Sequence, residues 1–240
     1  MMQTFPVVGQ SIVGRGLVGR WSDHNGKRTW LAALLLWLLL AAWAGPAMAA
    51  PKLLVMGDSL SAAYGIERES GWVQLLDERL ADEIEVINAS ISGETTSGGA
   101  TRLPELLRQY RPDIVLLELG GNDGLRGLPP PQMRANLADM IETSQQAGAE
   151  VLLLGIRIPP NYGQAYADAF SRVYRTLAER YDVPLVPFIL KGIALDDSLM
   201  QDDGIHPTAE AQPLVLDNIW PALEKLLPEQ AIAEATLPKD

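Results

Sequence analysis

The chain has 240 residues, 48% of them hydrophobic and 20% charged, with a formal net charge of −11 and no cysteine. So acidic a balance argues against nucleic-acid binding and against electrostatic docking on anionic lipid. Without cysteine there is no disulfide, no lipoprotein-type lipid anchor, no thiolate metal site and no thiol nucleophile.

Residues 1–49 read as an export leader rather than as fold. Lys27 and Arg28 precede an apolar run from Trp30 to Gly45, and Ala47-Met48-Ala49 then offers a small-residue cleavage site. The run is short of the ~20 residues of a membrane span, although an uncleaved anchor is the competing reading. Cleavage after Ala49 leaves Ala50–Asp240, a length suited to one domain and able to bury about 70% of its unfolded surface. It removes Arg15, Arg20, Lys27 and Arg28 with Asp23, a net of +3, and so takes the formal charge from −11 to −14. No stable membrane anchor is then expected, and a monomer is. His24 leaves with the leader, which makes His206 the single remaining histidine and the one candidate imidazole base. A zinc site of the His-rich kind is not expected, nor is any cofactor.

From Lys52 onward apolar runs and amphipathic stretches alternate. Lys52–Met56 is a strand and Gly71–Ala81 a helix, with Trp72, Leu75, Leu76 and Leu80 on one face. Ile84–Ile87 is a short strand, Asn88–Gly99 a loop of small polar residues, and Thr101–Tyr110 a helix with Pro104 in its tolerated first turn. Asp113–Leu119 is the strongest strand. Gln132–Ala147 is a helix closed by Gly148, Val151–Ile156 a strand, Gln164–Tyr181 a long helix, and Pro184–Phe188 a last strand. Pro207 opens a final helix running to about Leu227, and a tail at residues 229–240 is expected to be loosely held. Five apolar strands separated by helices predict one α/β domain at residues 50–228. It is a three-layer α/β/α sandwich around a central, mostly parallel five-stranded sheet of flavodoxin-like type.

In such a fold the loops after the strands meet at the carboxyl edge, where open sheets hold their ligands. Ser59 arrives there in Gly57-Asp58-Ser59-Leu60-Ser61, which is also good turn chemistry and is not the Gly-x-Ser-x-Gly elbow. Asp203 and His206 stand three apart. That spacing lets a carboxylate hold one ring nitrogen while the other faces outward, as an acyl-transfer site requires. The alternative is an acidic helix start with Asp203 as a cap. Gly93 and Asn122 suit stabilisation of an oxyanion, the first by an N–H that no Cβ obstructs and the second by a side-chain amide. The N–H of Ser59 would be a third donor. Each is equally an ordinary loop or turn residue when taken alone.

Together the four blocks resemble the SGNH (GDSL) hydrolase superfamily. They are Gly57-Asp58-Ser59-Leu60-Ser61, Gly93 in Ile91-Ser92-Gly93-Glu94-Thr95, Gly120-Gly121-Asn122-Asp123, and Asp203-Gly204-Ile205-His206-Pro207. Tyr64-Gly65-Ile66 and Ile158-Pro159-Pro160-Asn161-Tyr162-Gly163 are similar to its periplasmic thioesterase I, lysophospholipase and arylesterase type. The resemblance implies Ser59 as nucleophile, His206 as base, Asp203 as orienting acid, and Ser59, Gly93 and Asn122 as the oxyanion hole. It also implies a small acyl ester or thioester substrate and a periplasmic location.

Leu125, Leu128, Ile158, Pro159, Pro160 and Tyr162 fall in loops at the same edge and could line an apolar acyl groove. Two other readings stand beside this one. One is a carbohydrate O-acetyl esterase with the same triad, distinguished by its acetylated sugar substrate. The other is a non-catalytic exported binding module, distinguished by failure to label Ser59 with a fluorophosphonate.

Overall fold

β1 (Lys52–Gly57) is the middle of the molecule because it is apolar on both faces: Leu53, Leu54, Val55 and Met56 are completely buried. A strand with that composition is stable only when both faces of its sheet are covered. The computed structural model describes residues 50–80 and 83–235, and these form a five-stranded, all-parallel sheet of order β2-β1-β3-β4-β5. The other strands are β2 (Glu85–Asn88), β3 (Ile114–Glu118), β4 (Glu150–Leu154) and β5 (Leu185–Val186). The export leader read at residues 1–49 lies outside the described residues.

Seven α-helices are described: α1 (Trp72–Leu80), α2 (Thr96–Tyr110), α3 (Gly121–Leu125), α4 (Pro130–Gln146), α5 (Gln164–Tyr181), α6 (Gln212–Leu223) and α7 (Glu229–Ala235). α2, α4 and α5 pack side by side in one layer, and α1 packs with α6 and α7 in the other. The chain leaves β1 toward β2 and returns past it to β3. The order therefore reverses between β1 and β3, and a crevice opens at their carboxyl ends. The segments after these two strands carry Ser59 and Asn122.

The structure departs from the sequence expectation at four places. α2 begins at Thr96 rather than Thr101. Thr95 caps it by accepting from the N–H of Gly98, and Gly99 is a site of close approach, since a Cβ there would stand 2.4 Å from Leu119 Cδ1. Gly120–Asp123 is not simply a loop but runs into α3. The final helix starts at Gln212, five residues later than Pro207, because the chain first closes a bridge between Met200 and Pro207. The tail expected to be loosely held carries α7, which packs on α1 and buries Ala231. A helix this short gains its order from the surface it covers rather than from its own propensity.

Candidate active site

The turn after β1 is compressed. A Cβ at Gly57 would lie 2.7 Å from Ser61 Cβ and 2.8 Å from Glu118 Oε2, so only glycine lets the strand end here. Asp58 turns inward. Its Oδ1 accepts from the Leu60 N–H (3.1 Å) and its Oδ2 from the Asn122 side-chain amide (3.0 Å). Ser59, the next residue, is left at the mouth of the crevice.

His206 is delivered by a loop rather than by a helix start. The N–H of Gln201 donates to His206 O (2.8 Å) and that of Thr208 to Leu199 O (2.9 Å), which makes residues 199–208 a closed lobe. Within it, Asp203 Oδ1 accepts from the N–H groups of Ile205 (2.9 Å) and His206 (3.0 Å). Asp203 Oδ2 stands 2.6 Å from His206 Nδ1, and His206 Nε2 stands 2.8 Å from Ser59 Oγ. Burial acts to raise the Asp203 carboxyl, but the His206 ring and the two N–H groups outweigh it and bring it down to about 2. The Tyr64 ring lies 4.4 Å from that of His206, closing its other side.

Gly93 has φ +81°, a conformation that favours glycine, and its carbonyl accepts from Arg126 Nη2 at 2.9 Å. Arg126 is the C-cap of α3, the helix whose first turn holds Asn122. A second tie joins the same two segments: Asp123 accepts from the Thr96 N–H (2.9 Å) and the Thr96 hydroxyl (2.6 Å). The loop of Gly93 and the helix of Asn122 are thus fastened at both ends.

A cavity of about 390 Å³ opens beside these groups, with Ser59, Asn122 and His206 in its wall. The rest of the wall is mainly apolar and includes Leu125, Ile156, Ile158, Phe188, Leu190 and Leu195. Gly93 lies outside this lining and joins the site through Arg126 and α3.

Residues 55–213 match the GDSL-like Lipase/Acylhydrolase family. The chain belongs to that family. It is 54% identical over 182 residues to "Esterase TesA" of Pseudomonas aeruginosa, a match covering 75% of this chain and 90% of that protein. It is 47% identical over 181 residues to "Thioesterase 1/protease 1/lysophospholipase L1" of Escherichia coli strain K12, covering 75% and 87%. The crystal structure of TesA superposes with a TM-score of 0.72 at 54% identity, covering 73% of this chain and 99% of that one. This GDSL hydrolase is an enzyme of ester-bond cleavage.

Of the apolar residues expected to line a groove in this GDSL hydrolase, Leu125, Ile158 and Pro159 do so, Leu128 and Tyr162 do not, and the side chain of Pro160 lies outside what the structure describes. Tyr162 instead donates its hydroxyl to Leu125 O (2.9 Å), and Leu128 O accepts from the Tyr166 hydroxyl (2.7 Å). Both contacts brace the loops behind the wall. Sequence reasoning missed the opposite wall, Phe188, Leu190, Ala194 and Leu195, because these residues follow a two-residue strand with no motif of their own. It also missed Glu118, which falls within the predicted strand Asp113–Leu119 and carries no motif of its own. Glu118 is wholly buried, and its Oε2 accepts from the Ser61 hydroxyl (2.8 Å) and the Asp58 N–H (3.2 Å).

Proposed function

We propose that Ser59 is the nucleophile, His206 the general base and acid, and Asp203 the group that orients it, in hydrolysis of acyl esters and thioesters. What carries this reading is the line from Asp203 Oδ2 through the His206 ring to Ser59 Oγ, with contacts of 2.6 Å and 2.8 Å. The carboxylate accepts from Nδ1–H and so fixes the tautomer in which Nε2 is free to accept the serine proton.

In the first half-reaction Ser59 Oγ attacks the carbonyl carbon while its proton passes to His206 Nε2. The oxyanion so formed takes hydrogen bonds from the N–H groups of Ser59 and Gly93 and from the Asn122 amide. Nε2 then gives its proton to the leaving alcohol or thiol, and the C–O or C–S bond breaks to leave an acyl-enzyme. Water repeats the sequence, with His206 taking its proton and returning one to Ser59 Oγ as the acid departs.

The substrate class follows from the cavity. An apolar wall beside the nucleophile suits an acyl chain, and the thioesterase and lysophospholipase names of the relatives support acyl-CoA and lysophospholipid alongside aryl esters. The chain acts as a monomer, exported by cleavage near Ala49 to the periplasm. The sequence of the leader supports this location, and N-terminal sequencing of protein from a periplasmic extract tests it.

The decisive experiment is hydrolysis of p-nitrophenyl acetate and palmitate, palmitoyl-CoA, a lysophospholipid and an acetylated xylo-oligosaccharide by wild type and Ser59→Ala. Activity on the acyl substrates that vanishes in the variant, with fluorophosphonate labelling of Ser59 alone, is expected. Activity confined to the acetylated sugar overturns the substrate class. Full activity in Ser59→Ala overturns the nucleophile.

A further inference from the structure

Two carboxyl groups lie behind the nucleophile turn and take no part in the proton relay. We infer that Asp58 and Glu118 are a buried positioning pair: Glu118 holds the nucleophile turn in place, and Asp58 aims the Asn122 amide at the reacting carbonyl. This rests on the oxyanion role proposed for Asn122.

An amide side chain carries two N–H donors on one end and a carbonyl on the other, and in outline the two ends are nearly the same shape. Nothing in its shape decides which end faces the cavity. The acceptor behind it does. Asp58 Oδ2 takes one N–H of Asn122 at 3.0 Å. A flipped Asn122 would set its carbonyl oxygen against that carboxylate, two acceptors without a proton between them. The contact therefore turns the amino end outward and fixes the plane in which its second N–H points. A donor held in advance costs no reorganisation when the oxyanion forms, which is the source of its effect.

Asp58 does this only while it is itself fixed. Its Oδ1 accepts the Leu60 N–H, closing the turn around Ser59, and its own N–H donates to Glu118 Oε2. The same Glu118 oxygen accepts the Ser61 hydroxyl, so one carboxyl gathers both flanks of the nucleophile. From the other side Asn88 Nδ2 donates to Ser61 O at 2.8 Å, tying the turn to β2. Space around the pair is tight: a Cβ at Gly57 would come within 2.8 Å of Glu118 Oε2, and one at Gly121 within 3.2 Å of Asp58 Oδ2. Both glycines thus make room for these carboxyls.

The protonation of the pair agrees with this division of work. Burial, and after it the charge of Asp58, push Glu118 well above the ordinary carboxylate range. Burial also pushes Asp58 up, to about 6, against the pull of the Leu60 N–H and the Asn122 amide. Both shifts run in the direction that keeps two charges from sitting side by side in the core. Two adjacent buried charges would be far costlier than one.

The test is a double-mutant cycle on p-nitrophenyl acetate hydrolysis with the full chain, expressed with its leader and purified. Asn122→Ala is expected to lower kcat about 10²–10³-fold. Asp58→Ala is expected to lower it about 10–100-fold, the usual scale for a group that orients another from behind, with KM unchanged. The double variant should be no slower than Asn122→Ala alone, because Asp58 has nothing left to aim. Should Asp58→Ala not fold, Asp58→Asn serves in its place, since it cannot offer acceptors to Leu60 and Asn122 together. Glu118→Leu should also lower kcat, and Glu118→Gln should recover it, because the amide oxygen restores the acceptor without a charge. Full activity in a folded Asp58 variant, losses that multiply in the double variant, or no recovery in Glu118→Gln would each overturn the inference. An active Asn122→Ala would instead overturn the oxyanion role on which it rests.

Discussion

Gln201 Nε2 donates to the carbonyl of Tyr64 at 2.8 Å, joining the loop of His206 to the turn of Ser59 across 137 residues of sequence. It also donates to Pro207 O at 3.0 Å, so one amide clasps both sides of the serine–histidine contact. Gln201→Ala should loosen that contact and lower kcat by about tenfold or more, because misplacement by about 1 Å can cost 10². Steady-state kinetics with a short aryl ester checks this. An unchanged kcat would mean that Asp203 and the tilted Tyr64 ring hold His206 in place without this clasp.

The Asp203 carboxyl gives stability a particular acid dependence. Its pKa is lowered to about 2 in the folded protein, below the ordinary value of 3.8. The unfolded chain therefore takes up the proton first as pH falls, and the stability from this group is present above about pH 4 and lost toward pH 2. Urea midpoints of wild type and Asp203→Asn should differ by a constant amount at pH 5–8, draw together below about pH 4 and meet near pH 2.

Asp58 acts in the opposite sense. Its carboxyl is raised from 3.8 to about 6, with Glu118, Asn122 and His206 facing it. Here the folded protein holds the proton more tightly, so stability from this group is full below about pH 4 and declines as pH rises through 6. The shift corresponds to a cost of about 3 kcal/mol at neutral pH. In Asp58→Asn that decline between pH 4 and 6 should be absent. Identical pH profiles in the two proteins would show that the carboxyl is not strained by burial.

The cavity wall predicts a chain-length dependence. Each methylene buried against Ile158, Phe188 and Leu190 adds up to about 0.8 kcal/mol, or roughly fourfold in kcat/KM. A p-nitrophenyl series from acetate to octanoate should rise along its length. Leu195 is fully exposed at the wall, and if the proposed acyl chain leaves the cavity there, Leu195→Asp should flatten the upper part of the series. A flat wild-type series would remove the acyl groove.

Much of this was legible in the order of residues alone. Leu53–Met56 and Ile114–Leu117 are apolar without a break, and a run of that kind has only the interior of a covered parallel sheet to occupy. Alternation with amphipathic helices then brings the loops after β1 and β3 to one edge, and with them Ser59 and Asn122. Asp203 and His206 are three residues apart, so their contact is local and can be read from spacing.

What the order of residues could not reveal lies in contacts made across long separations. Glu118 falls inside the predicted strand Asp113–Leu119 with no motif of its own. It is a buried core acid because the turn after β1, some 60 residues earlier, folds over it. Tyr162 reads as groove lining and is a brace, since its hydroxyl finds Leu125 O. α7 reads as a free tail and is a helix, because α1 offers it an apolar surface. Composition and periodicity determined the fold class, and four short motifs in order pointed, through the family resemblance they carry, to the reacting groups proposed above, for those are properties of neighbouring residues and of chain order. Which carboxyls are buried together, which residues form the cavity wall and that residues 229–235 form a helix were decided by tertiary packing, because burial and hydrogen-bond partners exist only once distant segments meet.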